Sequence, residues 1–105
     1  MKRTIWKYEL ELYKHQTIEM PVGSHILTVQ SQKGNLCIWA LVDPDEKETE
    51  ERTIEIYTTG RMITYNDKIH KQYIGTVQLD SGDFIAHIFE VHTFEIPYFI
   101  STSTI

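Results

Sequence analysis

The segment Tyr57-Thr58-Thr59-Gly60-Arg61 gathers the residue types that bind an anion: two hydroxyls, a glycine amide that can approach closely, and a guanidinium with forked donors. Lys68, His70 and Lys71 follow in the chain and add positive charge for a phosphate. The ligand-binding site expected from sequence is therefore Tyr57, Thr58, Thr59, Gly60, Arg61, Lys68 and His70. The same segment also satisfies the needs of an ordinary strand-ending turn with a surface Arg. No glycine-rich phosphate loop closing on Lys-Ser or Lys-Thr occurs, and no dinucleotide-binding fingerprint.

Other chemistry is thinner. His15, His25, His70, His87 and His92 form no metal-ligand spacing, and the acids Asp43, Asp45, Glu46, Glu48, Glu50 and Glu51 lack the glycine turn and regular spacing of a calcium loop. His87, with Ile85 and Phe89 on its face of a strand, reads as a core histidine. Ser24 and His25 are adjacent, so a strand would point them to opposite faces, away from nucleophilic catalysis. Cys37 stands alone in an apolar run and reads as a small core residue in a reducing cytoplasm. We expect no catalytic residues, metal or cofactor.

The 105 residues, 41% hydrophobic and 24% charged, match a single domain over 1–105, with an apolar extension at 93–105. Fifteen acids against ten Lys and Arg give a net charge of −5, which disfavours nucleic acid as a partner. No run approaches the about 20 apolar residues of a membrane span, and Lys7, Glu9 and Glu11 interrupt any leader-like stretch at the start.

These residues must be positioned by strands. Trp6, Tyr8, Leu10 and Leu12 alternate with Lys7, Glu9, Glu11 and Tyr13, which predicts a first strand with one buried face. A short strand at Ile18–Met20 and a longer one from His25 to Gln30 follow. Gln32-Lys33-Gly34-Asn35 then turns the chain into the unbroken apolar run Leu36 to Val42, a strand covered on both faces. Asp45 to Glu51 reads as a solvated, mobile loop, Arg52 to Thr58 as a strand, and Met62 to Gln72 as mostly irregular. Tyr73–Leu79 and Phe84–Val91 flank the hairpin composition Asp80-Ser81-Gly82-Asp83. The class is all-β: an antiparallel sandwich or partly open barrel of about six to seven short strands. Trp6, Tyr8, Trp39, Tyr57, Tyr73 and Phe89 on strands serve a core or a stacking wall for a base. The tail residues Phe94, Ile96, Tyr98 and Phe99 are too apolar to stay exposed and are the expected partner-binding residues, in cis or against a second subunit.

The ordered blocks Trp6-Lys7-Tyr8-Glu9-Leu10, Ile18-Glu19-Met20-Pro21 with Gly23, Ile26-Leu27 with Val29-Gln30, Cys37 with Trp39-Ala40-Leu41-Val42-Asp43, Ile56-Tyr57 with Thr59-Gly60, and Tyr73-Ile74-Gly75-Thr76, with His87 and Phe89-Glu90 after them, resemble small phage and prophage accessory proteins of no assigned function. The resemblance runs over about residues 4 to 91. Where those proteins commonly carry His after the Thr-Gly turn, this chain has Arg61, and it continues beyond the Phe-Glu block where most of them stop. The resemblance implies origin rather than mechanism.

The reading that follows is a non-enzymatic, homo-oligomeric phage protein of the host cytoplasm. It is expected to act in host takeover or anti-defence by sequestering a small, nucleotide-like signalling molecule in a pocket at a subunit interface. A protein inhibitor of a host defence protein, acting through the acidic loop and the tail, is the alternative. A virion structural or assembly protein is the third.

Overall fold

The computed structural model describes residues 1–93. Seven strands run in order: β1 (Thr4–Glu9), β2 (His15–Pro21), β3 (His25–Gln32), β4 (Asn35–Val42), β5 (Thr49–Thr58), β6 (Ile69–Leu79) and β7 (Phe84–Thr93). They form two antiparallel sheets, one ordered β1-β4-β3 and one ordered β2-β5-β7-β6. The expected all-β architecture is correct, in its sandwich form. The helical content of the described residues is one 3-10 turn, Asp80–Gly82.

Hairpin chemistry was read correctly. Lys33 and Gly34 both take positive φ, 51° and 82°, between the paired Gln32 and Asn35, the backbone sense that matches the twist of the flanking strands. Asp80, Ser81 and Gly82 likewise take positive φ and join β6 to β7.

The core lies between the sheets. Leu36, Ile38, Ala40 and Val42 of β4 face Ile54 and Ile56 of β5 and Ala86 and Ile88 of β7, with Met20, Val29, Val77 and Leu79 closing the sides. β3 and β6 meet most closely: a Cβ at Gly75 would stand 2.9 Å from Val29 Cγ1, so the absence of a side chain there lets the sheets touch.

Several expectations need correction. The first strand stops at Glu9 rather than running to Tyr13, and Leu12 is 57% exposed. The Gln16 side chain ends it by accepting from the Glu11 N–H (3.0 Å) and donating to Glu11 O (2.7 Å), which holds a turn where a ladder would otherwise continue. The acidic segment is loop only as far as Glu48. Thr49, Glu50 and Glu51 belong to β5, because β2, which begins at His15 and not at Ile18, offers a partner at every position from Pro21↔Thr49 onward. The irregular stretch ends at Lys68, since Ile69 to Gln72 extend β6 alongside β7. Cys37, by contrast, is the small buried residue expected, 1% exposed, though it lies on the face of β4 away from the inter-sheet cluster, opposite Glu9 and Gln30. His87 is also on an outer face, that of the four-stranded sheet, and is half-buried with both ring nitrogens hydrogen-bonded.

Candidate functional site

Tyr57, Thr58 and Thr59 are consecutive along a strand and its end, so their side chains alternate between faces and do not converge. Thr58 shares the inner face with Ile56, while Tyr57 and Thr59 stand on the outer face.

On the inner side, at the end of β5, Thr58 and Arg61 come together. The turn between them closes with Arg61 N–H donating to Thr58 O at 3.1 Å, and Gly60 supplies the left-handed residue, φ 91°. They line a depression of about 160 Å³ with Tyr13, Lys14, Ile56 and Phe84. Lys14 is held there by its carbonyl, which accepts from Ile56 N–H at 2.9 Å, and its ammonium lies 5.6 Å from the centroid of the Tyr57 ring. The basic residues of the lining are therefore Arg61 and Lys14, the latter with its ammonium near the Tyr57 ring. Among the described residues no carboxylate lines the depression, and none lies within ion-pair distance of Arg61. A guanidinium, a hydroxyl and two aromatic rings, Tyr13 and Phe84, are the donor set for a small anion carrying a ring. The volume suits a phosphate or one ring; a whole nucleotide would extend over the exposed Leu12 and Tyr13.

The outer face holds a different assembly. Tyr57 Oη donates to Glu55 Oε1 at 2.6 Å. Lys71 Nζ lies 2.9 Å from the same oxygen and 3.0 Å from Tyr57 Oη, while His15 Nδ1 is 3.3 Å from Glu55 Oε2. The Lys71 side chain is only 5% exposed. Burial pushes the Glu55 carboxyl up, but hydrogen bonds from Tyr57, Lys71 and His15 outweigh it and hold its pKa below the usual value. Burial pushes Lys71 down, and its contacts with Tyr57 and Glu55 reverse that and raise it. Burial, reinforced by Glu55, raises the Tyr57 phenol. Beside it, Thr59 Oγ1 and His87 Nε2 are 2.7 Å apart, His87 Nδ1 and Thr76 Oγ1 2.9 Å, and Thr76 Oγ1 and Tyr73 Oη 2.6 Å. Each polar atom is committed to a neighbour, so this network ties strands together rather than presenting groups to a ligand.

The remaining predicted site residues lie elsewhere. Lys68 sits in a turn, its N–H bonded to Asn66 Oδ1 at 2.8 Å. His70 is on the opposite face of β6 from Lys71 and stacks on His92, centroids 6.0 Å apart. His92 borders a cleft of about 210 Å³ whose wall includes His25, Gln72 and the Arg52–Glu90 pair; a separate depression, lined by Glu50, Glu51, Arg52 and Glu90, carries three carboxylates that disfavour phosphate. The expected aromatic wall divides: Trp6 and Tyr8 face inward, Trp39 outward from the three-stranded sheet, and Tyr57, Tyr73 and Phe89 outward from the other. Phe94, Ile96, Tyr98 and Phe99 lie outside the described residues. Sequence reasoning missed Tyr13 and Phe84; the pair Leu12-Tyr13, two apolar residues in succession, is the break in alternation that marks Tyr13 as a loop residue.

Among the described residues no group of three or more His, Cys, Asp and Glu could hold a metal ion, and no helix is long and apolar enough to cross a membrane. No curated protein and no solved structure matches the chain. The chain belongs to the family described as a domain of unknown function (DUF7352), which matches residues 1–97.

Proposed function

We propose that this protein is a non-enzymatic binding protein that takes a small, ring-bearing anion of nucleotide-like chemistry at the Thr58–Arg61 depression. The observation that carries the reading is Arg61, which has no carboxylate partner among the described residues and lines a depression with Thr58, Tyr13 and Phe84 in a chain of net charge −5. An Arg that no described acid neutralises, in a chain rich in acids, is a position available to an external anion. Its biological setting, on the resemblance to phage accessory proteins, is the sequestration of a host signalling molecule during takeover or anti-defence in the host cytoplasm.

Isothermal titration with inorganic phosphate, mononucleotides and cyclic nucleotides tests it. At least one should bind, and Arg61→Ala should weaken that binding about tenfold or more, the share of a charged hydrogen bond. Failure of the whole panel, or equal affinity in the variant, overturns the reading.

A second reading, a protein partner, is favoured by one observation: Ile5, Leu27 and Trp39 surround a shallow depression of about 420 Å³ on the outer face of the three-stranded sheet. Exposed apolar surface of this kind marks protein contacts. Leu27→Asp should abolish capture of a host protein by the purified chain, and unchanged capture removes this face from the interaction.

A further inference from the structure

β1 is an edge. It pairs with β4 on one side, and no described strand pairs with its other side. Leu10 N–H donates to Leu36 O at 2.8 Å, and the register Thr4↔Val42 to Glu9↔Cys37 continues to that pair. Even-numbered residues therefore turn their peptide groups toward β4, while Arg3, Ile5, Lys7 and Glu9 turn theirs outward. The strand contains no proline and no bulge, the usual means of blocking an edge. Its one basic residue, Lys7, is drawn across the sheet by a 2.7 Å bond to Gln32 Oε1. Ile5 and Trp6 are 55% and 41% exposed.

An edge strand can pair with a second copy of itself about a two-fold axis perpendicular to the sheet. Opposed residues of an antiparallel pair share a face, so that axis must pass through a residue position. The central positions Ile5, Trp6 and Lys7 are the ones that pair the strand along most of its length, and charge separates them. Centred on Ile5, Arg3 opposes Lys7 of the second copy; centred on Lys7, Lys7 opposes itself. Centred on Trp6, Arg3 opposes Glu9 at both ends, Ile5 lies against the aliphatic stem of Lys7, and Trp6 meets Trp6 in the closer, non-hydrogen-bonded position. Among the described residues Glu9 has no ion-pair partner within its own chain and Arg3 makes only an exposed 3.3 Å bond to Gly23 O, which a carboxylate displaces.

We infer that β1 pairs antiparallel with β1 of a second copy of this chain about a two-fold axis at Trp6, joining two three-stranded sheets into one of six strands. The outward N–H and C=O groups of Ile5 and Lys7 are then satisfied, and the apolar outer faces carrying Ile5, Leu41 and Trp39 become one continuous surface. This assembly does not depend on the ligand reading.

Light scattering on the full chain across a concentration series tests it, with circular dichroism to show that each variant is folded. The wild type should reach twice 12.4 kDa. Glu9→Arg and Arg3→Glu should each raise the dimer dissociation constant about a hundredfold, because each sets like charges opposite one another at both ends. The double swap Arg3→Glu with Glu9→Arg restores opposite charges and should restore the dimer. A wild type that stays monomeric, a dimer insensitive to Glu9→Arg, or a double swap that fails to recover would each overturn the proposal.

Discussion

The guanidinium of Arg52 is forked onto the carboxylate of Glu90 in the space between the two sheets. Nη2 is 3.0 Å from Oε1, Nε is bonded to Oε2, and Nη1 donates to Ser24 O at 2.7 Å. The pair joins β5 to β7 and ties both to the turn that leads into β3. The Glu90 side chain is 5% exposed, so neither charge can be left alone there.

Removing one partner should therefore be severe. We expect Arg52→Ala to lower the unfolding free energy by about 3–5 kcal/mol in a urea titration, with Glu90→Ala similar. The double variant Arg52→Met with Glu90→Leu should be far milder than the sum, since no charge remains buried. A loss under 1 kcal/mol for Arg52→Ala, on the scale of about 0–1 kcal/mol for exposed pairs, would contradict the fork.

The Glu55–Tyr57–Lys71 cluster sets a pH dependence at both ends. Glu55 is held below its ordinary value of 4.5, so its contribution is present above that value and is lost as pH falls through the lower folded value. Lys71 and Tyr57 are raised above their ordinary values of 10.5 and 10.0, so their contributions are present below those values and are lost as pH rises through the higher folded values. Urea unfolding followed against pH should show both losses, and Glu55→Gln should remove its share of the acid-side slope. An unchanged acid-side slope in that variant would show that Glu55 is not paired.

At the seam of the sheets, Gly75→Ala should destabilise by about 1–3 kcal/mol, because the new methyl enters the space of Val29 in a packed core. Combining it with Val29→Ala should cost less than the two single losses added, a coupling that thermal unfolding can measure. Strict additivity would place the two residues apart.

Gln16→Ala should cost about 1 kcal/mol, since its amide makes the bonds that stop β1 at Glu9. Hydrogen exchange should then quicken at the Glu11 amide; unchanged protection there would mean that the turn holds without Gln16.

Turn chemistry and alternation were legible in the sequence because they are local. Lys33-Gly34 and Asp80-Ser81-Gly82 declare positive φ by residue type, and Leu36 to Val42 declares a covered strand by composition. Of the expected site residues, the structure brings Thr58 and Arg61 to one depression, while Tyr57 and Thr59 belong to the other face and Lys68 and His70 to other places. Tyr13 and Phe84 reach the same depression from distant points of the chain, which no spacing rule could show.

What the sequence by itself determined is which stretches are extended and where the chain reverses, since both follow from the stereochemistry of single residues and their neighbours. Which strand lies beside which, and hence which face looks inward, was decided by the tertiary structure. The acidic Glu50 and Glu51 became strand because β2 was there to receive them, and His87 came to face outward because its strand pairs with β5 and β6 in a sheet whose other side is the core. Period-two patterning defines two faces without naming the buried one; that choice is made by contacts between residues far apart in the chain.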